Sequence, residues 1–125
     1  MHHVRVETPI HPTENPEKVI RALRNLFPDL RIESSERRIG GTTENLDRLR
    51  EMIRNQRIRD TARRQLVSGR QENRTTVSLS KQAAFVGVVN FAASSPLGDI
   101  AVEIESDDLE AAIDYIAEST VAPKT

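Results

Sequence analysis

The sequence predicts an α+β fold, a two-layer α/β sandwich in which about three main helices cover one face of a mixed sheet. Apolar and polar residues alternate in several short segments, as in half-buried strands. In longer segments apolar residues recur every three or four positions, as in helices packed on a core. The chain has 125 residues, 37% of them hydrophobic, and no internal repeat. We therefore expect a single domain over residues 1–120 and a flexible tail over residues 121–125.

The first third of the chain predicts two strands around a capped helix. Residues 4–10 alternate as a strand does, with Pro9 at an edge or at the strand's end. The pair Asn15-Pro16 is typical of an N-cap followed by the first residue of a helix. Residues 30–33 then predict a short strand, and the Gly-Gly pair in residues 39–41 predicts a tight turn or loop.

A long helical segment is predicted from Thr42 to Gly69, and its apolar face is interrupted. Leu46, Leu49 and Ile53 set that face, which continues at 3.6 residues per turn onto polar side chains. These polar residues are Gln56, Asp60 and Arg63 or Arg64. A second apolar line lies on nearly the opposite side and comprises Ile58, Ala62 and Leu66. The helix therefore either breaks near Asn55 or is contacted on two faces.

The next part of the chain predicts two strands joined by a short helix. Residues 75–79 alternate, and Ser80 can cap one helical turn over residues 81–85. The β-branched run over residues 86–92 predicts a buried strand, followed by a loop over residues 93–98.

The last part predicts a strand and a helix. Residues 100–104 alternate, and Ser106 can cap the helix that follows. The inward-facing residues expected on this helix are Leu109, Ala112, Ile113 and Ile116. The chain's aromatic side chains fit core positions and are Phe27, Phe85, Phe91 and Tyr115.

The charge of the chain is unevenly distributed, although its formal net value is only -1. Arginines crowd the central helical segment, whereas every charged residue from Asp99 to Glu118 is acidic. One interpretation is that the two regions neutralise each other within the fold or across a dimer interface. The other is that the arginines form a basic binding face.

The chain carries no motif of a catalytic or metal site. It lacks cysteine, and two of its three histidines, His2 and His3, lie at the terminus. The Gly40-Gly41 pair precedes a helix without the lysine of a P-loop, and no serine has a histidine base nearby in sequence. We therefore expect a non-enzyme without metal or cofactor. No apolar run is long enough for a membrane span or a signal peptide, so we expect a cytoplasmic protein.

The central arginines and a second polar pair predict a surface for RNA phosphates. The candidate nucleic-acid-binding residues are Arg54, Gln56, Arg57, Asp60, Arg63, Arg64, Lys81 and Gln82. Arginine and lysine would contact phosphates, the glutamines would donate hydrogen bonds, and Asp60 would orient the arginines. With so few aromatic residues, stacking on single strands is disfavoured, which leaves structured RNA as the expected partner.

Several motifs along nearly the whole chain resemble those of an archaeal family of uncharacterised proteins, the UPF0201 type. The motifs are Thr13-Glu14-Asn15-Pro16-Glu17-Lys18-Val19, Asn25-Leu26-Phe27-Pro28-Asp29, Gln56, Ile58, Asp60-Thr61-Ala62-Arg63, Lys81-Gln82-Ala83-Ala84, Gly87, Val89-Asn90-Phe91 and Pro96-Leu97-Gly98-Asp99-Ile100. Ser80 departs from the family pattern, which has asparagine there.

The resemblance implies a predicted RNA-binding protein related to exosome-associated proteins. It also implies a fold similar to that of the ribosomal large-subunit protein that binds 5S rRNA. Some relatives resemble fusions to a nucleotide-kinase-like domain. An alternative function is therefore a protein-interaction or dimerisation module, either a homodimer or the partner of a nucleotide-kinase-like protein. In that case the polar stripe on the central helix would be an interface.

Overall fold

The computed structural model describes residues 2–91 and 99–119, which form a six-stranded sheet and five helices. The strands are β1 (His2–Pro9), β2 (Arg31–Ser34), β3 (Arg38–Thr43), β4 (Arg70–Gln71), β5 (Arg74–Ser80) and β6 (Asp99–Ser106). The helices are α1 (Pro16–Leu26), α2 (Asp47–Asn55), α3 (Arg59–Ser68), α4 (Lys81–Phe85) and α5 (Leu109–Ile116). The predicted α+β class is confirmed.

The strand order is β2-β3-β1-β6-β5-β4, and every neighbouring pair is antiparallel. The prediction of a mixed sheet is therefore wrong. Alternation within each segment indicated strands but carried no information on their relative direction, because direction depends on which distant segments pair.

One face of the sheet is covered by the helices and the other is open. On β1 the residues Val4, Val6 and Thr8 are buried, whereas Arg5 between them is exposed. The register aligns the buried positions of neighbouring strands, so that Val6 lies opposite Val102 of β6. Apolar rows of this kind across the central strands form the sheet face against which the helices pack.

Local sequence signals located most helices correctly. The Oδ1 atom of Asn15 accepts a hydrogen bond of 2.9 Å from the Glu17 backbone N–H, as expected of the N-cap of α1. The Oγ atom of Ser80 likewise accepts a 3.2 Å hydrogen bond from the Ala83 backbone N–H at the start of α4. At α5 the cap is Asp108, whose side chain accepts a hydrogen bond from the Ala111 N–H, so the predicted Ser106 cap is wrong. The four predicted inward-facing residues of α5 are buried.

The Gly40-Gly41 pair lies inside strand β3, so the predicted turn is wrong. A Cβ atom on Gly40 would lie 2.1 Å from the Val6 carbonyl oxygen, and one on Gly41 would lie 2.2 Å from the Arg31 carbonyl oxygen. Glycine is therefore needed here because the neighbouring strands approach closely. The sequence alone does not distinguish this need from that of a tight turn, where a glycine pair is also common.

Residues 86–91 do not form the predicted strand. Gly87 has a positive φ of 73° in a turn, and Val86 and Val88 are exposed. The rest of that prediction, the predicted loop over residues 93–98 and the predicted tail over residues 121–125 lie outside the described residues. Within the described residues, no helix has the length and apolar character needed to cross a membrane.

Candidate nucleic-acid interface

The predicted long helix is two helices, which confirms the alternative in which it breaks near Asn55. Helix α2 ends at Asn55, and Arg57 has a φ of 58°, in the left-handed region that ends a right-handed helix. The Ile58 N–H donates a 3.2 Å hydrogen bond to the Ile53 carbonyl oxygen, and α3 starts at the next residue. The chain therefore changes direction between residues 55 and 59, within the arginine-rich segment.

This change of direction creates a surface hollow, which we call the corner cleft. It has a volume of about 510 Å³ and is lined by Arg54, Arg57, Arg59 and Asp60. Sequence reasoning did not include Arg59 among the candidate residues. Five positions separate Arg59 from Arg54, so on a continuous helix they would point about 140° apart. Only the break brings them to one site, and the sequence signal for it was the interrupted apolar face.

Acidic residues of the last helix and the segment after it neutralise part of this arginine cluster. The Glu118 carboxylate accepts hydrogen bonds from Arg54 at 3.1 Å and from Arg59 at 2.8 Å. On α3, Arg63 donates to the Asp114 carboxylate at 2.5 Å and to the Ala117 carbonyl oxygen at 3.1 Å. For these three arginines, neutralisation occurs within the fold.

Two other predicted arginines keep their positive charge available. Arg57 and Arg64 are exposed, and neither forms an ion pair with any residue in the described parts of the chain. Asp60 and Arg64 are four positions apart on α3, so they lie on the same side of that helix. The exposed basic surface thus extends from the corner cleft along α3.

Gln56 has a structural contact that its predicted role did not include. Its side-chain amide donates a 2.9 Å hydrogen bond to the Val89 carbonyl oxygen and accepts one of 2.8 Å from the Val89 N–H. Val89 is buried in the segment after α4. Gln56 therefore ties the α2–α3 corner to that segment.

Lys81 and Gln82 are neighbours in sequence but differ in exposure. Lys81 is fully buried, and its Nζ atom donates to the Pro9 carbonyl oxygen at 2.6 Å and lies 3.2 Å from the Glu14 carboxylate. It offers no surface to a phosphate, so its expected phosphate contact does not agree with the structure. Gln82 is exposed at the start of the short helix α4. Both residues have long polar side chains, so the sequence alone could not show which of the two is buried.

The aromatic residues offer no stacking platform in the corner cleft. Phe27 is buried, and Phe85 and Phe91 pack partly buried against the core. Tyr115 is 38% exposed, which corrects its predicted core position. Its hydroxyl hydrogen-bonds to the Asp47 carboxylate, and that bond, with partial desolvation, raises the pKa of Tyr115 above its ordinary value.

The described residues contain no cluster of three or more histidine, aspartate or glutamate side chains arranged to hold a metal ion. The corner cleft supplies three guanidinium groups, which bind carboxylates and phosphates through paired N–H donors, and the carboxylate of Asp60.

Comparisons with known proteins identify the family of this chain. A family model described as RNA binding matches residues 3–106. A UPF0201 protein of Methanothermobacter thermautotrophicus is 42% identical over 99% of this chain and 97% of its own length. The chain belongs to the UPF0201 family.

Solved structures show the same fold for other UPF0201 proteins. The crystal structure of an uncharacterised UPF0201 protein has a TM-score of 0.89 and 39% identity, covering 98% of each chain. The UPF0201 protein of Methanococcus jannaschii has a TM-score of 0.88 and 35% identity, covering 95% of each chain.

One UPF0201 relative is much longer than this chain. A protein of Archaeoglobus fulgidus named UPF0200/UPF0201 is 41% identical over 94% of this chain, but the match spans only 38% of that protein. The UPF0201 unit therefore exists within a larger polypeptide in that organism.

Proposed function

We propose that this protein is a non-catalytic RNA-binding protein of the cytoplasm. It contacts phosphates of structured RNA through the corner cleft and the adjoining exposed side of α3. The likeness to exosome-associated proteins and to a 5S rRNA-binding ribosomal protein, implied by the sequence motifs, belongs to the same proposal. Support comes from the match of residues 3–106 to an RNA-binding family model and from the arginine geometry.

The observation that carries the proposal is the convergence of Arg54, Arg57 and Arg59 on one open hollow. Phosphate contacts need positively charged, exposed donors at the spacing of a backbone, and they need no sequence-specific groups. Arg57 and Arg64 add charge that no described acidic side chain neutralises. This surface suits a polyanion better than a small neutral ligand.

The predicted contact set changes with the structure. Arg54, Arg57, Arg59 and Arg64 are the proposed phosphate contacts, with Asp60 orienting them. Arg63 on α3 and the exposed Gln82 on α4 stay proposed as further RNA contacts. The other two candidate residues, Gln56 and Lys81, form hydrogen bonds within the fold, and we assign them a structural role.

Structured RNA is the proposed partner because the surface lacks the rings that bind unpaired bases. None of the described strands carries phenylalanine, tyrosine or tryptophan on its open face. Duplex RNA is recognised largely through its shape and backbone, which arginines alone can contact.

The test is fluorescence anisotropy with labelled RNA hairpin, duplex and single strand across a series of salt concentrations. The variant is Arg57→Ala combined with Arg64→Ala. Both side chains are exposed, and their removal breaks no ion pair among the described residues and no core contact. Removing two phosphate contacts should weaken binding to every structured RNA and reduce the slope of log K against log salt by about 1.4 to 1.8.

The matched control is Arg5→Ala with Arg21→Ala, which removes two exposed arginines on the sheet's open face and on α1. We expect nearly unchanged affinity for this control. Equal weakening of both double variants would place the interface elsewhere, and no binding of any RNA at low salt would refute the function.

A second candidate function is a protein-interaction or dimerisation module, with a nucleotide-kinase-like protein or a second copy as partner. The observation in its favour is the long Archaeoglobus fulgidus relative, in which a UPF0201 unit is part of a larger chain. Here Asp60→Ala would change the mass measured by light scattering or the capture of the partner. A protein that stays monomeric at high concentration and captures no such partner would contradict this function.

A further inference from the structure

We propose that Glu118 occupies the place of an RNA phosphate against Arg54 and Arg59, two of the arginines that line the corner cleft, so that RNA binds there by displacing an internal carboxylate. This inference rests on the proposed RNA-binding function. It assigns Glu118 the role of an autoinhibitory anion that lowers the affinity of the cleft for RNA.

The geometry at Glu118 resembles that of a bridging anion. One oxygen, Oε1, accepts hydrogen bonds from Arg54 Nη2 at 3.1 Å and from Arg59 Nη1 at 2.8 Å. These two guanidinium groups come from different helices, α2 and α3, on either side of the break. A non-bridging phosphate oxygen accepts the same donors with similar geometry, because guanidinium groups bind carboxylates and phosphates alike.

The backbone beside Glu118 is firmly held, so its side chain can leave without unfolding the segment. Ala117 is fully buried, its N–H donates to the Ile113 carbonyl oxygen at 2.8 Å, and its own carbonyl oxygen accepts from Arg63 at 3.1 Å. By contrast the Glu118 side chain is 51% exposed. Rotation of this side chain into water is enough to free both arginines.

The exchange is favourable because the pairs being broken are exposed and the incoming anion is multivalent. The side chains of Arg54 and Arg59 are 51% and 35% exposed, and exposed ion pairs are weak in water. An RNA backbone that already contacts Arg57 and Arg64 presents further phosphates at high effective concentration. Glu118 then competes with RNA only for Arg54 and Arg59.

The first experiment compares Glu118→Gln with Glu110→Gln in the anisotropy assay with the RNA hairpin. Both substitutions remove one negative charge from the same end of the chain, but Glu110 is an exposed residue of α5 without an arginine partner among the described residues. We expect Glu118→Gln to tighten binding about three- to tenfold beyond the control. Its salt slope should steepen by about 1, since the freed arginines release additional counterions.

A double-mutant cycle tests whether the effect passes through the two arginines. In a background with Arg54→Ala and Arg59→Ala, Glu118→Gln should no longer change affinity beyond Glu110→Gln. A gain that persists in this background would mean that Glu118 acts as a distant charge, and the displacement mechanism would be overturned.

The two sets of variants distinguish failure of the Glu118 competitor role from failure of the proposed RNA-binding function. If Arg57→Ala with Arg64→Ala weakens binding but Glu118→Gln matches its control, only the competitor role is refuted. If neither the wild-type protein nor Glu118→Gln binds RNA at low salt, the inference and the proposed function fail together.

Discussion

The polar side chains of Lys81, which is buried, and Gln56, which is partly buried, join segments that are far apart in sequence. Lys81 links the start of α4 to the end of β1 through Pro9 and to the following loop through Glu14, and Gln56 links the α2–α3 corner to Val89. Backbone groups buried in irregular segments need such partners, because they have no helix or strand neighbours. These residues therefore act on the shape of the surface without forming part of it.

Lys81→Met should destabilise the fold by about 3 to 5 kcal/mol, because it leaves the Glu14 carboxylate without its buried cation. The Glu14 side chain is only 9% exposed, so water cannot easily replace the ammonium group. The measurement is unfolding in urea, with exposed Lys18→Met as the control. Adding Glu14→Gln should restore part of the loss. A Lys81→Met protein as stable as the control would contradict the burial of this pair.

Tyr115 should ionise only above the ordinary tyrosine pKa of 10.0. The hydrogen bond to Asp47 favours the neutral phenol, so the stabilisation is complete below about pH 10 and is lost as the pH rises through the raised pKa. Tyr115 is the chain's single tyrosine and there is no tryptophan, so phenolate absorbance reports on it alone.

In that titration Asp47→Asn should lower the pKa of Tyr115 toward 10.0, whereas exposed Asp107→Asn should leave it unchanged. A midpoint that Asp47→Asn does not move would show that the carboxylate is not the cause.

At the scale of elements, the break between α2 and α3 determines where the arginines point. Neither helix has a hydrogen bond from the side chain of its N-cap residue, and the chain changes direction at Arg57, which lies in the left-handed region. A residue with a Cβ atom in that region costs about 1 to 2 kcal/mol relative to the right-handed region. Arg57 bears this cost in the lining of the corner cleft, where its side chain is exposed.

Arg57→Gly should therefore be more stable than Arg57→Ala by about 1 kcal/mol, because glycine adopts positive φ without strain. Both variants should lose RNA affinity equally, since both remove the guanidinium. Thermal unfolding and anisotropy on the same samples separate the two effects. A glycine variant less stable than the alanine variant would contradict the left-handed conformation at this corner.

Elements with local signals were predictable, and elements that depend on neighbours were not. Helix α1 was identified from Asn15-Pro16, and β6 from the alternation that begins at Ile100. Strand β3 was missed because its glycines serve the close approach of β1 and β2. The two-residue strand β4 was missed because it is too short for any pattern. The run after α4 has strand-like residues, but Gly87 turns the chain there.

At the scale of the whole molecule, contacts between the two halves of the chain neutralise part of the charge that is segregated in the sequence. Arginines of α2 and α3 meet acids of α5 and of the segment that follows it. The sequence predicted the arginine-rich surface and offered internal neutralisation as its alternative, and the structure contains both. It could not divide the arginines between the two roles, because that division depends on the packing of α5 beside α2 and α3.

The central pair of strands, β1 and β6, comes from opposite ends of the described chain, with Val4 beside Ile104. Domains that depend on such long-range pairing fold slowly, because a large loop must close before the contacts form. As the chain is synthesised, β1 can pair with β3 early, but its other edge stays open until β6 emerges. A nascent chain that stalls before residue 99 would thus expose an unpaired, apolar strand edge, and such edges are prone to aggregation.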